Sequence, residues 1–190
     1  MNDLKRGLRI GVLDIESTDL NAEDGRILCA CIKTVLPGNL GGETFVTQVS
    51  PKDFTVKDGW NDKRVVKELV KAMDSYDLIL TWYGSQFDIP FINTRATFHR
   101  IKVPTKNFRR DLCFVARGSF KLKNNRLATW GGFLFGKSGK TKLKWALWLR
   151  AMRGCMESVK YIVDHCEKDV LETERIYKRF LPVLGKLKKR

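Results

Sequence analysis

The chain has 190 residues, 43% of them hydrophobic and 30% charged, with a formal net charge of +15. That is enough for one domain with a real core. No apolar run approaches the ~20 residues that span a bilayer, and the opening residues 1–6 lack the apolar stretch of a secretory signal. Five cysteines without a Cys-x-x-Cys pair read as reduced thiols of a cytoplasmic protein, not as a disulfide frame or zinc site. The positive charge is concentrated. Residues 95–160 hold 17 of the 36 basic side chains and two of the 21 acidic ones. Such segregation predicts a polyanionic partner, nucleic acid first, because a merely solubilising surface mixes both signs.

Residues 9–15 predict a strand that runs from an apolar stretch into Asp14, with Glu16 two residues on. Alternate strand residues share a face, about 6.5–7 Å apart. Both carboxylates therefore aim one way from the end of a buried strand, where charge requires a partner or a metal ion. Residues 21–25 are a polar turn, and 26–35 are apolar on both faces, as in a central strand. Cys29 and Cys31 alternate there and suit buried structural positions. After the turn signals Pro37-Gly38-Asn39 and Gly41-Gly42, residues 43–49 predict a third strand. Three strands joined by short turns suggest an antiparallel meander.

The period then changes. Val65, Val66, Leu69, Val70 and Met73 predict a helix after a cap-like Asn61 or Asp62. Residues 77–83 form a short buried strand, broken by Gly84-Ser85-Gln86, and a helix follows from Asp88 to His99 with Pro90 in its first turn. An N-terminal cap is the ordinary role for Asp88 there. This order suits a mixed α/β sheet covered by helices. Residues 101–110 are extended, and Asp111 opens a new apolar run. Short helices over 127–135 and 143–152 flank a basic loop at 136–140. A long final helix starts at Met156 or Glu157, with an apolar stripe from Val159 to Phe180, and Pro182 ends it. Trp130, Trp145 and Trp148 are candidates for base stacking, although core packing is the stronger reading. The expected organisation is a single domain over 1–182 with a basic tail at 183–190.

Three stretches carry chemistry together. Beside Asp14-Ile15-Glu16 and Phe87-Asp88 stands the segment 161–170, in which His165 and Asp169 are four apart and share a helix face. Tyr161 lies one turn earlier. Each stretch alone has a bland reading: a solvated strand end, a helix cap, a surface pair. As a set, Asp14, Glu16, Asp88 and Asp169 can neutralise two divalent cations about 3.5–4 Å apart. Ligation by oxygen alone favours Mg²⁺ or Mn²⁺ over zinc. His165, with an unperturbed pKa of ~6.5, can accept a proton from water or orient it.

In order and separation, Leu13 to Thr18, Gly84 to Phe91 and His165 to Val170 resemble the three motifs of the DEDD (DnaQ-like) superfamily of 3′–5′ exonucleases. The likeness is strongest to the exonuclease domain of family B DNA polymerases and to related stand-alone exonucleases. It implies a ribonuclease-H-like α/β fold: a mixed five-stranded sheet, antiparallel meander plus parallel strands, covered by helices. It also implies two-metal hydrolysis at the 3′ end of single-stranded nucleic acid, DNA more than RNA, releasing nucleoside 5′-monophosphates. Ser17 and Thr18 would lie near the terminal nucleotide, with Phe87 and Phe91 beside it, and segment 95–160 would track the phosphates. A separate DNA polymerase is an expected partner. There are two departures from the family pattern. Tyr83 stands where family B polymerases often carry Asn. His165 has the spacing to Asp169 that one subfamily gives to tyrosine, which leaves His165 or Tyr161 to activate water. The alternatives are a catalytically weak nucleic-acid-binding or polymerase-associated module of the same fold, and a structure-specific ribonuclease-H-like endonuclease.

Overall fold

A computed structural model of the chain describes residues 7–38, 40–54, 60–136 and 144–184. The basic loop over 137–140 and the end of the basic tail lie outside the described residues. Strands β1 (Ile10–Ser17), β2 (Ile27–Val35) and β3 (Gly41–Gln48) come first. Helix α1 (Lys63–Met73), strand β4 (Leu78–Thr81), helix α2 (Asp88–Phe98) and strand β5 (Phe108–Asp111) follow. Helices α3 (Leu112–Ser119), α4 (Leu127–Phe135), α5 (Trp145–Met152) and α6 (Met156–Phe180) complete the fold. The sheet has five strands in the order β3-β2-β1-β4-β5. The pairs β1–β2 and β2–β3 are antiparallel, while β1–β4 and β4–β5 are parallel. This is the expected meander extended by parallel strands.

The burial of each element follows its sequence. β2 is buried along nearly its whole length, as two apolar faces dictate for a strand covered on both sides. Cys29 and Cys31 are fully buried there, and all five cysteines are free thiols. α6 packs across β2, β1 and β3 with the stripe that its spacing predicts, Val159, Ile162, Val163, Cys166, Val170, Thr173, Ile176, Tyr177 and Phe180, all buried. No helix among the described residues is long and apolar enough to cross a membrane. A second, smaller apolar cluster gathers around Trp130, with Ala116, Leu127, Ile176 and Phe180. Trp130 is 2% exposed and so belongs to the core rather than to a stacking surface.

Of the two cap-like residues, Asn61 accepts the Lys63 N–H at the start of α1 through its Oδ1 (2.8 Å), whereas Asp62 does not cap. Asp62 stands at the N-cap position of α1 but makes no side-chain cap hydrogen bond. Its carboxylate turns inward and is fully buried. There it accepts from Arg95 Nε (3.0 Å) and a terminal guanidinium nitrogen (2.7 Å), lies 2.7 Å from His99 Nε2, and accepts the Ile27 N–H at 2.9 Å. A salt bridge takes precedence over a cap here because Arg95 on α2 and His99 just past its end bring partners that satisfy a buried carboxylate.

Candidate active site

The site begins where β1 leaves the sheet. Asp14 pairs opposite Cys31 and Glu16 opposite Cys29, and the register slips between Glu16 and Ser17. Such a bulge ends regular pairing and re-aims the chain beyond it. From α6, the Cys166 thiol donates to the Asp14 carbonyl at 3.4 Å, which ties the last helix to this strand end. Burial, then Asp88, Glu16 and Asp169 in that order, hold the Asp14 carboxyl well above the ordinary carboxylate range. Three acidic side chains thus lie within electrostatic range of Asp14.

Asp88 comes from the start of α2. It does not cap its helix. Its Oδ1 instead accepts the Ile15 N–H at 2.9 Å, a bond between residues 73 apart in the chain. Burial pushes its carboxyl up to about 7, with Asp111 adding repulsion and the backbone bonds opposing it. The approach needs Gly84: a Cβ there would sit 2.6 Å from Thr81 Cβ and 2.8 Å from Asp88 Oδ2. On α6, His165 and Asp169 are 5% and 6% exposed. His165 Nε2 stands 3.7 Å from Glu16 Oε1 and 3.7 Å from Asp169 Oδ2. Tyr161, one turn earlier, is 42% exposed.

Two grooves are lined in part by these carboxylates. One, of about 520 Å³, is lined by Glu16, Ser17, Thr18, Phe87, Trp145 and Trp148, among others. The other, of about 470 Å³, is lined by Asp14 and Asp169 together with Tyr83, Arg117 and the segment Asn124 to Leu127. The expected residues divide accordingly. Ser17 donates its hydroxyl to the Asp19 carbonyl (2.6 Å), and the Thr18 hydroxyl accepts the Arg26 N–H (3.0 Å), so both shape the first groove through its loop. Phe87 faces that groove. Phe91 is 3% exposed and packs beneath Phe87, ring centres 5.6 Å apart, as a support and not as a wall. Trp145 is 64% exposed in the same groove.

Asp111 is the residue whose part the sequence did not show. Its carboxylate accepts from the backbone N–H groups of Tyr83, Ser85 and Cys113, each at 2.9 Å, and from the Ser85 hydroxyl at 2.7 Å. It caps α3 and at the same time fixes the loop that delivers Gly84, Phe87 and Asp88. An Asp directly before an apolar helical run is the signal for the cap, but nothing local signals the loop 26–28 residues upstream. The same loop holds Tyr83 at φ 67°, a left-handed backbone that is a genuine outlier for a bulky side chain.

The donor set fits a hard divalent cation in chemistry. All four donors are carboxylates, the oxygen ligands that such a cation takes. Among the described residues, no group of three His, Cys, Asp or Glu side chains is closed enough to hold a metal ion as it stands. Mg²⁺ does not require a closed cage, since it keeps several waters and binds through one or two carboxylates at a time.

Comparison with known proteins agrees with this architecture. No curated protein matches the chain. Among solved structures, the family B DNA polymerase from the hyperthermophilic archaeon Pyrobaculum calidifontis superposes with a TM-score of 0.63 at 19% identity. The match covers 92% of this chain and 25% of that one, so the protein spans about a quarter of the polymerase's length. At this identity the likeness is one of fold. The RNase_H_2 family profile matches residues 12–181, from the strand that carries Asp14 to the end of α6. That match spans nearly the whole chain, and the protein belongs to the RNase_H_2 family of the RNase_H superfamily.

Proposed function

We propose that the protein is a divalent-metal-dependent 3′–5′ exonuclease. It acts on single-stranded 3′ ends, DNA before RNA, and releases nucleoside 5′-monophosphates. The observation that supports this reading is that Asp14, Glu16 and Asp169 line two grooves, with Asp88 near enough to raise the Asp14 carboxyl. These four carboxylates would hold two Mg²⁺ or Mn²⁺ ions. Bound there, the ions lower the pKa of water and neutralise charge on the phosphate oxygens.

The chain's own residues do the rest. Ser17, Thr18 and Phe87 form the wall that receives the terminal nucleotide, with Phe91 as backing. His165 takes the proton from the attacking water. Glu16 and Asp169, each 3.7 Å from its Nε2, stabilise the imidazolium that results. A 3′-labelled single strand incubated with Mn²⁺ should yield mononucleotides, and Asp14→Ala or Asp169→Ala should abolish the yield. Full activity in either variant would retire the site. Cleavage of a strand whose 3′ end is blocked would make the protein an endonuclease.

The position of His165 supports a second reading. A protonated ring between Glu16 and Asp169 offsets carboxylate charge without metal, as suits a weakly active nucleic-acid-binding module. Binding of single strands without any product in Mn²⁺ would select it.

A further inference from the structure

Tyr83 and Arg117 line the groove that Asp14 and Asp169 open onto, and Phe114 lines an adjoining one of about 810 Å³. The rings of Tyr83 and Phe114 stack with centres 6.0 Å apart and 22° between their planes. The Arg117 guanidinium carbon lies 5.3 Å from the Tyr83 ring centre and 5.1 Å from that of Phe114. The rings are 44% and 41% exposed, unlike the aromatic cluster around Trp130. Stacked aromatics that hide so little of their surface gain little from burial. They are nonetheless held firmly. Asp111 grips the Tyr83 N–H and begins the helix that carries Phe114 and Arg117.

The surroundings suit a polyanion. Arg117 and Arg126 line the first groove, and Lys106, Arg109 and Arg110 line the second. Asp111, which lines the second groove, is engaged by its four donors, and Asp14 and Asp169 are the acidic groups of the first. The rim is rigid as well: Trp82 Nε1 donates to the Asn125 carbonyl at 3.0 Å and Trp130 Nε1 donates to Asn125 Oδ1 at 3.2 Å.

We propose that Tyr83, Phe114 and Arg117 form a stacking platform for single-stranded nucleic acid on the 5′ side of the scissile bond. The proposal rests on the exonuclease reading above. If the terminal nucleotide occupies the groove of Ser17, Thr18 and Phe87, the strand behind it must pass the carboxylates. It then enters the groove on the Asp14 and Asp169 side. There its bases meet two exposed rings and a guanidinium plane, surfaces on which any base stacks. Arg117 and the arginines of β5 meet the phosphates between them. Tyr83, which departs from the family's Asn, thereby becomes a source of sequence-tolerant grip.

The test is fluorescence anisotropy with a labelled single strand of about eight nucleotides in the presence of EDTA, so that binding is read without cleavage. Tyr83→Gly removes one ring and suits the left-handed backbone, and Phe114→Ala removes the other. Each should weaken binding about 5- to 150-fold. Tyr83→Phe and Phe114→Trp should restore it. A single abasic position, walked inward from the 3′ end, should cost affinity at one internal step in the wild type and not in Phe114→Ala. Wild-type affinity in both ring deletions, or no binding of any single strand by the wild type, overturns the platform. Hydrolysis of a 3′-labelled strand by the wild type is measured in parallel. Ring-dependent binding without cleavage retires the exonuclease reading and keeps the platform. Cleavage with ring-independent binding does the reverse.

Discussion

At the scale of single residues, the site is built from groups that the fold holds against their solution preference. Asp14 and Asp88 have carboxyls raised by burial, with Asp88, Glu16 and Asp169 adding to the first and Asp111 to the second. In the unfolded chain they titrate near 3.9. Between that value and about 7 the folded protein binds more protons than the unfolded one, so stability falls as pH rises through this window. Asp53 and Asp62, held low chiefly by Arg64 and Arg95 respectively, act in the opposite sense and only at the acid end, as pH drops below the ordinary carboxylate value. The metal-free protein is therefore expected to melt at a lower temperature at pH 7.5 than at pH 5, by calorimetry. Millimolar Mg²⁺ should recover most of the difference at pH 7.5 by binding only the folded state. His165→Ala should slow hydrolysis by about 10²–10⁴ and flatten the acid limb of the pH–rate profile. An unchanged rate and profile would move the proton to the exposed Tyr161.

At the scale of elements, legibility depended on how far apart the partners lie. The α6 stripe and the β2 run were readable because burial repeats every few residues along one element. The inward turn of Asp62 was not, because its partners Arg95 and His99 lie 33 and 37 residues away on another helix. Nor was the grip of Asp111 on the loop before α2. Asp14, Glu16, Asp88 and Asp169 stand out in the sequence by chemistry and spacing, whereas the groove beside Tyr83 and Arg117 has no motif. The Asp62–Arg95–His99 cluster joins α1, α2 and the start of β2, and Arg95 also donates to the Ala22 carbonyl at 3.2 Å. Arg95→Ala leaves a buried carboxylate with only His99 and one N–H. A loss of about 3–5 kcal/mol is expected in urea unfolding, and a loss under 1 kcal/mol would show that His99 and water replace the guanidinium.

At the scale of the whole molecule, the charge segregation seen in the sequence becomes geography. Carboxylates stand at the end of β1, the start of α2 and the middle of α6, and the basic segment supplies β5, α3 and the loop before α4 along the neighbouring grooves. Arg109, Arg110, Arg117, Arg126 and Lys106 could each meet one phosphate. Single-strand affinity is then expected to fall with a log–log salt slope of about −3 to −4. A slope near zero, measured by anisotropy between 50 and 200 mM salt, would place the strand elsewhere.

The strand order has a consequence in time. β1, β2 and β3 pair through short connections, so the stretch bearing Asp14 and Glu16 can form early, when loop closure costs little. The bond from Asp88 to Ile15 closes over 73 residues, and that from Cys166 to Asp14 over 152. If the last carboxylates arrive after the first, like-charge repulsion is expected to fall on the closing step. Asp88→Asn and Asp169→Asn should speed refolding in stopped-flow experiments, and Mg²⁺ should do the same for the wild type. Equal rates in all three cases would show that the charges meet after the barrier. In this chain, the ions that serve chemistry would also serve as the catalyst of its own folding.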